Sequence, residues 1–186
     1  MTQALLVMDV QNAIVARIAD DKELLSRLAR AVDGARRAGV PVIYVRVAFR
    51  EGYPEVSSAN KSFVALTERG GMGDNDEATQ IHPSVAPQPS DAVVVKKRVS
   101  AFAGSDLAVL LRGRRIDTLV LAGIATSGVV LSTLREAADL DFGLVVLADA
   151  CADADPEVHR VLTEKVFVRQ ADVVSVDAWV ESLPVG

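Results

Sequence analysis

The chain has 186 residues, half of them apolar, with 24% charged and a formal net charge of -5. That composition suits one domain with a buried core and excludes a disordered tail. The acidic balance is spread along the chain, which excludes the clustered Lys/Arg surface a nucleic-acid binder needs. The apolar runs are shorter than the roughly 20 residues that span a bilayer, so no membrane partner is expected.

Taken in chain order, Ala4 to Val10 is a continuous apolar run that delivers an acid, Asp9. Lys22 to Ala38 carries Leu24, Leu25, Leu28, Ala31, Val32 and Ala35 at helical spacing and stops at Gly39, a suitable C′ residue. Val40 to Val47 is a second apolar run, rich in β-branched residues, and Ala92 to Lys96 is a third. Asp106 to Leu111 reads as a helix after Ser105, a suitable N-cap, and stops near Gly113. Thr118 to Ala122 is the fourth strand and Gly128 to Leu140 the helix after it. Leu144 to Ala148 is the fifth strand. Pro156 to Phe167 reads as a helix with Asp155 as its cap and proline in its first turn. Asp172 to Val176 is a weaker sixth strand, and Ala178 to Leu183 a closing helix.

Continuous rather than alternating apolar runs predict strands buried on both faces. Repeated βα units predict an α/β fold, a three-layer α/β/α domain with a mainly parallel six-stranded sheet, as a single domain over residues 1–186. Phe49 to Ser90 breaks the rhythm with many Gly, Pro, Asn and Asp residues and no clear strand. A connection this long is expected to be a lid or binding loop, with a short helix near Phe63 to Glu68. The opening residues carry no basic segment or cleavage site, so no secretory signal is expected. Cys151 is the single cysteine, which forbids an intrachain disulfide and is compatible with a reducing, cytoplasmic location. With two histidines and one cysteine, a Cys/His zinc site is hard to build.

Ligands of open α/β sheets bind outside the carboxyl ends of the strands. The first strand delivers Asp9, then Gln11 and Asn12. The third delivers Lys96, Lys97 and Arg98. The fourth delivers the turn Gly123-Ile124-Ala125-Thr126-Ser127-Gly128, and the fifth delivers Asp149 and Cys151. An acid and a lysine meeting at one sheet edge can relay a proton to a substrate or merely cap two strands as an ion pair, and the residues alone leave both readings open. Backbone N–H groups of the 123–128 turn would suit an oxyanion or a carboxylate.

Four blocks resemble the isochorismatase-like cysteine hydrolases, in that family's order and spacing. They are Leu6-Val7-Met8-Asp9-Val10-Gln11-Asn12, Val95-Lys96-Lys97-Arg98-Val99-Ser100-Ala101-Phe102, Leu121-Ala122-Gly123-Ile124-Ala125-Thr126 with Val130 and Thr133, and Leu147-Ala148-Asp149-Ala150. The resemblance assigns a general acid/base to Asp9 and a charge-stabilising lysine to Lys96, with Lys97 as the competitor. It places the nucleophilic cysteine at the third residue after Thr126, and there this chain has Val129, which has no nucleophilic atom. Ser127 and Ser132 are the nearest hydroxyls, with capping or packing as their plainer reading. Cys151 lies outside the motif and reads as an apolar filler.

The resemblance therefore implies hydrolysis of a small, carboxylate-bearing substrate without a thiol, for instance a vinyl ether protonated by Asp9. Two alternatives stay open: an amide hydrolase that uses another nucleophile or activated water, and a non-catalytic ligand-binding or scaffold protein. Gln11, Arg98, Phe102, Ile124, Ala125, Thr126, Ser127 and Gly128 are the candidate substrate-binding residues, with backbone capping an equal reading for Gln11. The family often carries a non-proline cis peptide near Ile124-Ala125-Thr126. Val45 to Arg50 lacks the histidine of the family's metal-binding members, so no metal is expected, and no cofactor. His82 and His159 are expected on solvated faces. A homo-oligomer, dimer or tetramer, is what the resemblance implies.

Overall fold

The computed structural model describes residues 2–18 and 22–184. Six strands form one sheet: β1 (Gln3–Met8), β2 (Val42–Val47), β3 (Ala92–Lys96), β4 (Thr118–Ile124), β5 (Gly143–Ala152) and β6 (Asp172–Val174). Their order is β3-β2-β1-β4-β5-β6, and every pairing is parallel, so the sheet is parallel throughout rather than mainly so. The helices are α1 (Asn12–Val15), α2 (Lys22–Arg37), α3 (Lys61–Glu68), α4 (Leu107–Gly113), α5 (Leu131–Asp139), α6 (Pro156–Val161) and α7 (Val176–Ser182).

Side chains alternate across a strand, and both faces of this sheet are covered. Leu6, Met8, Ile43, Val45, Leu119 and Leu121 face a core completed by Leu107 and Leu111 of α4 and Leu134 and Ala137 of α5. Leu5, Val7, Val42, Tyr44, Val120 and Ala122 face the other way, against Leu24, Leu28, Ala31 and Ala35 of α2 and Trp179 of α7. This double burial is why the strands read as unbroken apolar runs. A smaller cluster of Val47, Phe49, Phe63 and Met72 gives the long connection its own footing. Among the described residues, no helix is long and apolar enough to cross a membrane.

Besides the added short helix α1, three elements depart from the sequence reading. The helix expected from Gly128 opens instead as a wide π turn over Thr126–Val130, with non-helical φ/ψ at Gly128, and becomes regular only at Leu131. The helix expected over Pro156 to Phe167 is α6 followed by a π turn, Leu162–Val166, and a 3-10 turn, Phe167–Arg169. There the Thr163 hydroxyl donates back to the carbonyls of His159 and Arg160, an interaction that bends helices. Strand β5 runs on to Ala152, past a register shift opposite Leu121 and Gly123, so that Ala152 pairs with Ile124 at the end of β4.

Candidate active site

Strand order reverses between β1 and β4, and an open parallel sheet presents a crevice at that switch point. Asp9 is the first residue beyond β1. Its φ of 55° lies in the left-handed region, which aspartate enters more readily than most residues, and its N–H is anchored on the Val45 carbonyl at 2.8 Å. Alongside runs Gly123 of β4, with φ 138°, where an added Cβ would stand 2.0 Å from the Met8 carbonyl oxygen. Only glycine lets β4 pass the end of β1 that closely.

Lys96 ends β3, two strands away, and its ammonium reaches Asp9 Oδ2 at 2.9 Å. Both side chains are buried, Asp9 6% and Lys96 2% exposed. The ammonium also donates to the carbonyls of Arg98 at 3.0 Å and Val99 at 2.7 Å. An ammonium has three N–H donors, so all of them are engaged. Lys96 is therefore fixed by the loop that follows its own strand, and it has no donor left for a substrate carboxylate. Asp9 Oδ1, in contrast, is buried with no hydrogen-bond partner among the described residues. Burial pushes the Asp9 carboxyl above the usual carboxylate range, against the opposing pull of the Lys96 charge and hydrogen bond. The result is a carboxyl group locked at one oxygen and free at the other, able to give or take a proton at Oδ1.

The turn after β4 carries a cis peptide between Ile124 and Ala125, at the place the resemblance indicated. Ile124 and Thr126 are buried, Ala125 and Gly128 partly so, and Ser127 is exposed. Val129 is 2% exposed and packs in the same core as Met8, Ala101 and Phe102. The turn is a poorer source of free N–H groups than its sequence suggests. Gly128 and Val130 donate to the Ala125 carbonyl, and the Ser127 N–H donates to Asp153 Oδ2 at 2.7 Å. The Thr133 hydroxyl, further along α5, accepts from the Ala101 N–H at 2.9 Å and so ties the helix to the loop that carries Lys96's carbonyl partners.

The other candidates divide. Gln11 is 1% exposed and grips backbone on both sides, donating to the carbonyls of Val47 and Thr79 and accepting from the Val47 N–H. Both of its N–H donors are engaged on backbone and its oxygen accepts once, the geometry of the capping reading. Arg98 donates to the carbonyls of Lys97 and Glu55 and lies over the Phe63 ring, which pins the long connection. Lys97 is engaged elsewhere: its ammonium donates to the Ala48 carbonyl at 2.6 Å and stands over Phe49, while it is Lys96 that pairs with Asp9. Phe102 is buried in the core beside Phe142. His82 caps a short turn by accepting from the Ser84 N–H.

His159 is half-buried rather than fully solvated. Its Nδ1 lies 2.8 Å from the hydroxyl of fully buried Thr126. Sequence reasoning missed this contact and that of Asp153 with Ser127, because the partners lie 33 and 26 residues apart with no local signature. The expectation for Cys151 was closer: it is buried, and burial pushes its thiol up to about 12. An open cavity of about 970 Å³ lies at the end of β5, lined in part by Arg17, Ile18, Arg27, Cys151, Asp153 and His159. Asp9 and Lys96 are not in its wall.

Comparison with known proteins places this geometry in context. Residues 3–178 match the isochorismatase domain family. The chain is 34% identical over 192 residues to the isochorismatase family protein YecD of Escherichia coli O157:H7, a match that covers 98% of this chain and 96% of that protein. It is 33% identical over 207 residues to the ureidoacrylate amidohydrolase RutB of Stutzerimonas stutzeri, covering 97% of this chain and 79% of the relative. Among solved structures, the N-carbamoylsarcosine amidase of Thermoplasma acidophilum superposes with a TM-score of 0.77 at 26% identity, covering 95% of this chain and 98% of the other.

Proposed function

We propose that this chain, which belongs to the isochorismatase family, hydrolyses a small substrate without a thiol nucleophile. The observation that carries the reading is the Asp9–Lys96 pair: a buried carboxyl held at Oδ2 and unpartnered at Oδ1. In this reading Val129 occupies the position of the family's cysteine, and Asp9 Oδ1 is the proton-transfer atom. Lys96 steadies the charge that Asp9 gains and loses, and fixes which oxygen faces the substrate. The 124–128 turn lines the substrate's side of the cleft.

Two bond types fit a carboxyl that can act in either protonation state. In a vinyl ether bearing a carboxylate, protonated Asp9 would give its proton to the enol-ether carbon and water would add to the resulting cation. In an amide or ureido group, ionised Asp9 would take a proton from water as the water oxygen bonds to the carbonyl carbon. It would return that proton to the leaving nitrogen as the C–N bond breaks. The amidase names of the relatives favour the second. The test is a panel of small amides, ureido acids and vinyl-ether carboxylates, read by ammonia or pyruvate release. Asp9→Asn is expected to cut turnover by about 10²- to 10⁴-fold. Iodoacetamide is expected to leave it unchanged, since the one thiol is buried and protonated. Turnover that survives Asp9→Asn overturns the assignment, and a panel on which nothing turns over, though substrates bind, favours a ligand-binding role.

A further inference from the structure

The π turn of residues 126–130 has no side-chain cap of its own and a non-helical residue inside it, yet it leads from the end of β4 into α5. What holds it comes from elsewhere in the fold. Asp153, the first residue after β5, accepts the Ser127 N–H at 2.7 Å. His159, on α6, bonds the Thr126 hydroxyl at 2.8 Å, and among the described residues that fully buried hydroxyl has no other side-chain or backbone partner. The two holding residues are themselves built as a unit. Asp155 between them caps α6 by accepting from the Glu157 N–H, and the end of β5 is in register with the end of β4 through Ala152 and Ile124.

We propose that Asp153 and His159 are positioning residues, a clamp that sets the β4–α5 turn by gripping two consecutive residues of it. The consequence for turnover rests on the reading of that turn as one wall of the substrate cleft. His159 also makes the clamp sensitive to protonation. It is half-buried on the wall of the 970 Å³ cavity, which gives it a route to solvent. Neutral, its Nδ1 can accept from Thr126. Protonated, that nitrogen becomes a donor, and the buried hydroxyl must redirect its hydrogen with no second acceptor among the described residues. Burial holds the imidazole below its ordinary range, and Asp153 pulls the other way. Among the described residues, the other charged groups are Arg17, Arg27 and Asp149 across the cavity, Asp155 at the cap of its own helix, and Glu157 and Arg160 on that helix; Arg27 is paired with Glu23, and Arg160 with Glu157 and Glu164. The β4–α5 turn itself adds no charged side chain.

The experiment compares the wild type with His159→Leu, His159→Asn and Asp153→Ala, by amide hydrogen exchange at Ser127 and Gly128 and by kcat and KM against pH. Asparagine keeps a polar atom near the Nδ1 position but does not titrate. The clamp predicts faster exchange at both amides in His159→Leu and Asp153→Ala, and a fall in kcat of about 10- to 100-fold with KM little changed, the scale expected of a displaced wall. In the wild type it predicts protection factors at both amides, relative to intrinsic exchange at each pH, that fall and a kcat that falls as pH drops through the lowered imidazole range below 6.5, with that limb absent in His159→Asn. Unchanged exchange and an unchanged pH limb in His159→Leu overturn it. If His159→Leu does not fold, the same decision rests on whether the wild-type limb disappears in His159→Asn. If no substrate is turned over by the wild type, the hydrolase reading fails alone, and exchange at the two amides still decides for or against the clamp.

Discussion

Gly123 shows how little freedom the sheet has at the place where the chemistry is assigned. Its φ of 138° is open to glycine, and a methyl group there would meet the oxygen, carbon and nitrogen of Met8, all backbone atoms that cannot swing aside. Because Met8 is followed directly by Asp9, any relief would move the acid as well. Gly123→Ala is therefore expected to lower stability by at least about 3 kcal/mol, through backbone strain rather than lost packing. Gly113, at the end of α4, is the matched control. An added Cβ there meets nothing within 4 Å, so Gly113→Ala is expected to be neutral or to add up to about 1 kcal/mol. Denaturant midpoints of the two variants check both statements, and equal shifts would contradict the close approach. The residue scale also separates Asp9 from Lys96. Both types were legible from their places at strand ends. That the lysine is saturated by two carbonyls of its own loop was not, because backbone acceptors leave no trace in side-chain identity.

At the scale of elements, the site depends on how the long connection is fastened. Gln11 holds three of its atoms: the N–H and carbonyl of Val47, where β2 ends, and the carbonyl of Thr79. The Asn12 N–H on Gln80 and the His82 N–H on Val10 extend the same seam. Gln11→Leu would fill the volume but strand those buried groups, at about 1–3 kcal/mol for each one left unsatisfied. The expected result is a loss of at least about 3 kcal/mol, with hydrogen exchange quickening first over residues 77–82. Exchange that quickens uniformly over the whole sheet would instead show the seam to be part of the global fold. The strands were readable to within a few residues because burial on both faces writes an unbroken apolar run. The two π turns were not, since each arises from a contact made outside it or from a hydroxyl bonding back within it. The short helix α1 was also missed, because four residues carry no period. The contact of His159 was missed for a related reason: its neighbours on α6 are exposed, and its partner lies on the β4–α5 turn, far away in sequence.

Over the whole molecule, the fold places a carboxyl in the apolar sheet edge, where the charged form is disfavoured even with a lysine beside it. Linkage turns this into a pH signature. A carboxyl whose folded value is raised binds its proton more tightly in the native state. Its contribution to stability is complete below 3.8 and is lost as pH rises through the raised value. His159 has the opposite sign: its folded value is lowered, so its contribution is present above 6.5 and is lost as pH falls through the lowered value. Glu55, Asp117 and Glu157 are also held low, so their contributions are lost toward acid. Subtraction isolates Asp9, because every other group is shared by the wild type and Asp9→Asn. The stability of Asp9→Asn minus that of the wild type should therefore grow as pH climbs from about 4 and level off once Asp9 is ionised in both states. Unfolding free energies measured at intervals across the acid and neutral range give that difference directly. A difference that stays level would mean that Lys96 just offsets burial and that Asp9 has its ordinary acidity, and one that shrinks as pH rises would mean that Lys96 outweighs burial; in either case Asp9 is ionised near neutral pH and able to act only as a base.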